Sequence, residues 1–339
     1  MQNVRNRQPS RTQGKEVETN SGSRILDVRE LSAFFTLNRK VIKAVDRVSM
    51  YIDEGETVGL AGESGCGKST LASAVMQLIP HPGRIVSGEI LFRGQKLVER
   101  GEQVLRDIRG NRLSLIFQDP SSYLNPTVSV GTQICDVITA HTQVEKRAAK
   151  KMTVELLGSL GIPEPGHRFN SYPHELSGGM KQRVLIAMAI SCDPDLVIAD
   201  EPTTALDVTI QRQILELIKE KVIGKGSALL FITHDLSILA EICDRIYTMY
   251  AGRVVETART VEFFHNPLHP YTCKLLSAIP RHDVKKTLAE IPGSPPSLDA
   301  LPPGCSFYPR CDFRSERCVK ERPELRELKT NHWVSCHNV

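Results

Sequence analysis

The stretch GESGCGKS at residues 62–69 matches the phosphate-binding consensus G-x-x-x-x-G-K-[ST]. It follows an apolar, strand-like run at 57–61 and leads into a helical pattern at 71–79, whereas a chance Gly-rich turn would lack that context. Loop glycines let backbone N–H groups curl around a phosphate, and the helix N-terminus adds a favourable dipole. We therefore predict an α/β fold with a nucleotide site formed by Gly62, Ser64, Gly65, Cys66, Gly67, Lys68, Ser69 and Thr70.

A second pattern supplies two adjacent carboxylates, one suited to binding Mg²⁺ and the other to facing the attacking water. Residues 196–201, LVIADE, read as a buried strand that ends in Asp200 and Glu201. We expect Lys68 to reach the β- and γ-phosphates, while the Ser69 hydroxyl and Asp200 bind Mg²⁺. Glu201, one residue further on, can face the attacking water. An apolar strand ending in Asp-Glu is common by itself, but together with residues 62–69 it indicates a P-loop NTPase.

The composition favours a cytoplasmic globular protein. The 339 residues carry 43 Lys+Arg and 39 Asp+Glu, and the net charge of +4 is too small to predict nucleic-acid binding. No apolar run approaches the roughly 18 residues that cross a bilayer. Residues 1–24 lack the apolar core of a signal peptide, and their polar composition predicts a disordered tail, with a lipid-contacting basic arm as the alternative.

The rest of the chain divides into an ATPase domain at 25–261 and an extension at 262–339. Strand-like runs precede the P-loop, and residues 126–192 read as a helical insert. Strands alternate with helices from residue 196 onward, which predicts a parallel sheet covered by helices on both faces. Prolines become frequent beyond about residue 260, so we expect a loop-rich extension pinned by cysteines.

A second phosphate-binding turn precedes the helical pattern at 180–192. The residues LSGGM at 176–180 place Ser177 and Gly179 at a helix start, where backbone N–H groups attract an anion. An ordinary capped helix is the alternative. With the P-loop and the acid pair, this motif resembles the ATP-hydrolysing subunits of ABC transporters, whose signature is L-S-G-G-Q. Met180 replaces the Gln, but the phosphate-facing Ser177 and Gly179 are intact.

The resemblance covers about residues 25–260. It implies a P-loop NTPase ABC cassette with a RecA-like parallel sheet core, an antiparallel β subdomain and a helical insert. It also implies that two cassettes sandwich two ATP molecules, each site combining the P-loop of one subunit with the signature of the other. This shared site would explain why one chain has two phosphate-binding turns.

Further single residues gain a role only through this resemblance. Gln118 resembles the glutamine that contacts Mg²⁺ and links to the transmembrane subunit, and residues 205–207 resemble the D-loop. His234 resembles the switch histidine, and Phe35 resembles the aromatic that stacks on adenine, although a strand aromatic next to Phe34 is more often part of a core. The catalytic residues implied are Glu201, His234 and Gln118, and the Mg²⁺ ligands implied are Ser69, Gln118 and Asp200.

Longer stretches resemble the branch that imports oligopeptides, dipeptides and nickel. They are GESG at 62–65, LSGGMKQR at 176–183, Asn125-Pro126, HPYT at 269–272 and G-C-x-F-x-P-R-C at 304–311. The resemblance implies ATP hydrolysis that drives import of di- or oligopeptides, with nickel or another small solute as the alternative. It implies two transmembrane permease subunits, a second ABC ATPase, an extracytoplasmic solute-binding protein and a place at the cytoplasmic face of the cell membrane.

Four of the nine cysteines lie in the last 35 residues. Such clustering in a reducing compartment favours a metal over disulfides, and four thiolates can hold either Zn²⁺ or an iron–sulfur cluster. The gaps of 5, 6 and 17 residues match no C-x₂-C zinc pattern. Some members of the branch that this chain resembles bind a [4Fe–4S] cluster here, so such a cluster is the first expectation. Zn²⁺ and free thiols are the alternatives. His332 or His337 could substitute for one ligand. The candidate ligands are Cys305, Cys311, Cys318 and Cys336.

Three other functions compete with transport. A soluble ABC ATPase acting on DNA or ribosomes usually carries tandem cassettes or long coiled-coil inserts, which this chain lacks. An ordinary P-loop kinase or GTPase would not need residues 176–180 or the pair Asp200-Glu201. A redox- or metal-sensing tail that regulates the ATPase is compatible with transport.

Overall fold

The computed structural model describes residues 24–204, 206–278 and 291–339. The predicted tail at 1–24 therefore lies outside the described residues, except for Arg24. In these ranges, no helix is both long and apolar enough to cross a membrane. The strands are β1 (Arg24–Leu37), β2 (Lys40–Asp53), β3 (Thr57–Ala61), β4 (Gly83–Phe92), β5 (Gln95–Lys96), β6 (Leu113–Ile116), β7 (Leu196–Asp200), β8 (Ala228–Ile232), β9 (Arg245–Tyr250), β10 (Arg253–Arg259), β11 (Arg326–Lys329) and β12 (His332–Val334).

The helices lie mainly between the parallel strands and in the extension. They are α1 (Lys68–Val75), α2 (Glu102–Ile108), α3 (Pro120–Tyr123), α4 (Val130–His141), α5 (Lys146–Ser159), α6 (Pro165–Arg168), α7 (Gly178–Ile190), α8 (Val208–Lys221), α9 (Leu236–Ile242), α10 (Thr260–His265), α11 (Pro270–Ser277) and α12 (Glu316–Lys320).

The first sheet is antiparallel, with the strand order β2-β1-β4-β5. Its longest hairpin joins β1 and β2 through Asn38 and Arg39, whose φ angles of 48° and 67° suit a two-residue type I′ turn. Apolar residues of both strands, such as Val28 and Val45, are buried in a core shared with α1. This sheet is the predicted antiparallel β subdomain.

The second sheet has the order β11-β12-β10-β9-β3-β8-β7-β6. The five strands from β9 to β6 run parallel, and β10, β12 and β11 add to them antiparallel. Every residue of β3, β7 and β8 is buried, as expected for apolar strands covered on both faces. Because parallel strands end at the same edge, the residues that follow β3, β7 and β8 are neighbours there.

Helices α3 to α7 lie between β6 and β7, where the sequence predicts a helical insert. α5 ends at Ser159, and Gly161 follows with φ +73°, in agreement with the predicted stop. α7 buries Val184, Leu185 and Ile186 around its circumference, so it is a core helix of the insert.

The C-terminal extension contains regular structure that its proline content did not predict. The hairpin of β11 and β12 joins the central sheet, where Glu256 pairs with Val334. A separate apolar cluster forms around Tyr250, Tyr271 and Phe307, with ring centroids 4.6 Å apart for the first pair. The extension is thus fastened both to the edge of the sheet and to the end of β9.

Candidate nucleotide-binding site

Close packing explains why the P-loop needs glycine at two positions. Gly67, the N-cap of α1, has φ 108°, and a Cβ there would lie 2.0 Å from the Ala44 carbonyl oxygen. Gly62 has φ 151°, and its Cβ would lie 2.3 Å from the Met249 carbonyl oxygen. No side chain fits at either position, so the loop is held in place by the backbone of two neighbouring segments.

Lys68 is folded back over its own loop. The residue is buried, and its ammonium group donates to the carbonyl oxygens of Gly62 at 2.8 Å and Glu63 at 3.1 Å. Because these acceptors are neutral, the ammonium charge can attract a phosphate. The neighbouring Cys66 is buried, and burial raises the pKa of its thiol, which makes it an inert packing residue. Ser64 and Ser69 are exposed, and Thr70 is half-buried.

Asp200 ends β7 at the same sheet edge. It is 9% exposed, and its Oδ1 has no hydrogen-bond partner among the described residues. Burial raises the pKa of its carboxyl, and a hydrogen bond from the Ser69 hydroxyl opposes that rise. A buried carboxylate oxygen without a donor is costly unless a cation meets it, so the oxygens of Ser69 and Asp200 fit a Mg²⁺ ion.

Glu201 brings together side chains that are far apart in the sequence. Its Oε2 accepts hydrogen bonds from Thr204 Oγ1 at 2.8 Å and Gln118 Nε2 at 3.2 Å, and His234 Nδ1 lies 3.5 Å away. Its φ of 46° is uncommon for a residue other than glycine. The predicted catalytic residues Gln118, Glu201 and His234 therefore meet at one carboxylate. Thr204 belongs to no motif of the sequence, and only the fold brings it to Glu201.

The signature turn is separate from the P-loop. Ser177 caps α7, and its Oγ accepts a hydrogen bond from the Met180 N–H at 3.4 Å. A Cβ on Gly179 would lie 2.8 Å from Ile210 of α8, so this glycine allows close helix packing. Met180 packs against the apolar core of the insert. In the described part of the chain, no hydrogen bond joins this turn to residues 62–69.

Two further candidates remain predictions. Phe35 lies on β1 opposite Gly83, where a Cβ would be 2.5 Å from its ring, and Lys43 lies over the neighbouring Phe34 at 5.8 Å. In the D-loop, Ala205 lies outside the described residues, and Asp207 caps α8 by accepting from the Ile210 N–H at 2.9 Å.

Comparison with known proteins decides the family. The family model described as ABC transporter matches residues 45–204, and the one described as oligopeptide/dipeptide transporter, C-terminal region, matches residues 255–318. The dipeptide transport ATP-binding protein DppD of Escherichia coli is 46% identical over 314 residues, which are 92% of this chain and 96% of that protein. This chain belongs to the ABC transporter ATP-binding subunits. The oligopeptide transport ATP-binding protein OppD of Bacillus subtilis is 45% identical over 92% of this chain and 88% of its own length.

Solved ABC cassettes share the fold of this ABC subunit. The bacterial ABC transporter cassette MJ0796, whose structure is described as dimeric, superimposes with a TM-score of 0.63 at 26% identity. The match covers 69% of this chain and 98% of the cassette. The cassette cbiO1 from Clostridium perfringens gives a TM-score of 0.60 over 72% of this chain and 92% of its own. The predicted α/β P-loop ABC cassette is therefore confirmed.

The four C-terminal cysteines of the ABC subunit converge on one small cavity. Cys305, Cys311, Cys318 and Cys336 all line it. Burial raises the pKa of the Cys305 thiol to about 11, and the three neighbouring thiols add to the rise. Across residues 24–204, 206–278 and 291–339, however, no group of three or more His, Cys, Asp or Glu side chains is arranged to hold a metal ion. The geometry therefore does not support the predicted iron–sulfur or zinc centre.

The two histidines considered as substitute ligands have other partners. His332 is buried, and its Nε2 lies 2.7 Å from Glu256 Oε1. Glu256 also accepts hydrogen bonds from the N–H groups of Leu268 and His269. His337 Nε2 lies 3.0 Å from the Glu321 carbonyl oxygen. The contact of His332 with Glu256 joins the terminal hairpin to β10, and the contact of His337 with Glu321 lies within the extension.

Sequence reasoning also missed a contact between the extension and the P-loop. Arg310 forms a two-point ion pair with Glu63, and the Tyr271 hydroxyl accepts a hydrogen bond from the Glu63 N–H. These partners are 247 and 208 residues apart in sequence. No local pattern could have revealed them, because a sequence motif reports spacing and not distant pairing.

Proposed function

We propose that this ABC subunit binds and hydrolyses ATP to drive the import of di- or oligopeptides. The observation that carries the catalytic part is the meeting of Gln118 and His234 at the Glu201 carboxylate, beside the buried Asp200. Two findings support the peptide part. The extension matches the oligopeptide/dipeptide C-terminal region, and the relatives DppD and OppD are named for dipeptide and oligopeptide transport.

Each side chain has a distinct task in this proposal. Backbone N–H groups of the P-loop and the Lys68 ammonium bind the phosphates, and Ser69, Gln118 and Asp200 are the residues that would hold Mg²⁺. When bound, the ion neutralises charge on the phosphates. Glu201 accepts a hydrogen bond from the attacking water and orients it, while Gln118, Thr204 and His234 fix the Glu201 carboxylate. Phe35 is the proposed adenine-stacking residue.

The proposed assembly places this chain on two membrane permease subunits at the cytoplasmic face, with a second ABC ATPase and an extracytoplasmic solute-binding protein. The separation of the signature turn from the P-loop supports a shared site, because Ser177 and Gly179 would then contact ATP held by the other cassette. A helix start with free N–H groups is suited to a phosphate from outside the chain.

Uptake by whole cells tests the transported solute. Cells without this subunit are compared with complemented cells for accumulation of a labelled dipeptide, a labelled pentapeptide and ⁶³Ni²⁺. We expect the subunit to restore peptide uptake and to leave nickel uptake unchanged. Restored nickel uptake alone would favour the nickel alternative. Unchanged uptake of every solute would favour an ABC ATPase without a transport role.

We also propose that Cys305, Cys311, Cys318 and Cys336 hold a [4Fe–4S] cluster, with Zn²⁺ as the alternative. The basis of this proposal is the ligand type, since four thiolates suit either group and all four line one cavity, although their positions in this structure do not form a ligand set. When bound, the group would cross-link the parts of the extension that carry the four cysteines. Protein purified without oxygen should contain iron and sulfide and absorb near ~400 nm. One zinc per chain would favour Zn²⁺, and four titratable thiols without metal would contradict both.

A further inference from the structure

The second residue of the P-loop, Glu63, is held from the C-terminal extension at two points. Its N–H donates to the Tyr271 hydroxyl oxygen at 2.9 Å. Its carboxylate accepts Arg310 Nη1 at 2.6 Å and Nη2 at 2.9 Å, one hydrogen bond to each oxygen. The carbonyl oxygen of Glu63 accepts a hydrogen bond from Lys68 Nζ at 3.1 Å. Glu63 thus links the extension directly to the phosphate-binding lysine.

Arg310 is itself fixed. Its side chain is 4% exposed, its Nε donates to the Pro292 carbonyl oxygen at 3.0 Å, and its Nη1 also contacts the Tyr250 hydroxyl at 3.3 Å. The hydrogen bonds to Glu63 raise the pKa of Arg310, so the guanidinium remains charged. A partly buried, two-point pair of this kind is stronger than a fully exposed one, and loss of Glu63 leaves the buried Arg310 charge unpaired.

The main chain fixes Arg310 from the side of the cysteines. Residues Tyr308–Arg310 form one 3₁₀ turn between Cys305 and Cys311. The Arg310 carbonyl oxygen accepts a hydrogen bond from Lys274 Nζ of α11 at 2.8 Å. The main chain of Arg310 is therefore anchored, and its contacts with Pro292 and Tyr250 hold the guanidinium beside Glu63.

We propose that Arg310 is a positioning residue for ATP binding, which acts through Glu63 to hold the start of the P-loop in its phosphate-binding conformation. The inference rests on the nucleotide site proposed above. If the loop is not held in advance, ordering it on ATP binding costs conformational entropy. That cost makes the free energy of binding less favourable. Arg310 has no contact with Glu201, so turnover of bound ATP should depend little on it.

Kinetics of the assembled transporter test this separation. Arg310→Gln should raise KM for ATP about tenfold, which corresponds to about 1.4 kcal/mol, and leave kcat within about twofold. Arg310→Lys should recover part of the loss, since lysine keeps the charge but not the two-point geometry. Arg322→Gln is the matched control, because Arg322 joins the same extension to Asp46 at 3.1 Å without touching the P-loop, and its KM should stay native.

A double variant tests the route through Glu63. The variant E63Q/R310Q should raise KM no more than the larger single effect, whereas independent effects would multiply. If R310Q does not fold, E63Q carries the test, because the Glu63 side chain is 24% exposed and lies outside the extension. A lower melting temperature with a native KM would make Arg310 a structural residue only and would overturn the inference.

Binding of a fluorescent ATP analogue separates the two proposals. If the native chain binds no nucleotide, the proposed function fails. If the native chain binds it and R310Q binds equally tightly, the proposed function survives and the role of Arg310 is wrong.

Discussion

The nucleotide edge of the central sheet and the C-terminal extension position their side chains by different means. At the edge, the P-loop directly follows β3, Asp200 ends β7 and Glu201 comes next, so the sheet places them. In the extension, Arg310 and the cysteines are placed by distant contacts and by one another. The first arrangement can be read from short motifs, and the second appears only after folding. Changes at the edge should therefore affect chemistry most, and changes in the extension should affect binding and stability.

The largest expected effect is that of Glu201→Gln on hydrolysis. The attacking water loses its carboxylate while Asp200 remains, so turnover should fall roughly a thousandfold with ATP binding intact. ATPase assays of the assembled complex measure this effect, with Glu216→Gln as a control at an exposed glutamate of α8. Native turnover by the Glu201 variant would remove Glu201 from the catalytic role.

The next effect is expected from Ser177→Arg. A bulky side chain at the start of α7 should displace the phosphate of the other cassette, and turnover of the assembled complex should fall about a hundredfold. Nucleotide binding by the isolated chain should stay native, since its own P-loop is untouched. If the isolated Ser177→Arg chain lost ATP affinity to the same extent as the complex loses turnover, the shared site would be contradicted. The signature turn would then act on the ATP of its own chain.

In the extension, we expect a pH-dependent stability that depends on His269. Burial lowers the pKa of this histidine from 6.5 to about 4, so unfolding takes up a proton between these values. The contribution of His269 to the free energy of unfolding is therefore complete above pH 6.5. It falls as the pH falls, by up to about 3 kcal/mol at pH 4. His269→Asn keeps a capping side chain but should flatten this slope in denaturant titrations. His265→Asn, at an exposed histidine, should keep it.

The smallest effect is expected from Met180→Gln, which restores the family signature. Met180 packs against the core of the insert, so a glutamine there should lower stability by about 1 kcal/mol. Thermal melting should show this decrease, and Met152→Gln at an exposed methionine should not. A variant with a higher melting temperature and faster ATP turnover would contradict this prediction and would mean that Met180 lowers the activity of the signature turn.

The sequence predicted the cassette because its decisive features are local. Residues 62–69 and their neighbours predict a strand, a loop and a helix together, and the apolar run at 196–200 predicts a buried strand. It failed where a residue's partner is remote. The hairpin of β11 and β12 is short and polar, with every residue of β11 exposed, so periodicity could not detect it. Thr204 and Arg310 carry no motif, and only folding brings them to Glu201 and Glu63.

The terminal hairpin also covers what would otherwise be an open edge of the central sheet. Without β12, the backbone of the mostly buried β10 would become an open edge that could pair with another chain. β11 takes over that outer position with Arg326, Glu327 and Lys329, all exposed and charged. Charged outermost strands discourage edge-to-edge pairing. A fragment cut at residue 261 would keep every phosphate-handling motif yet should precipitate at concentrations where the full chain stays dissolved.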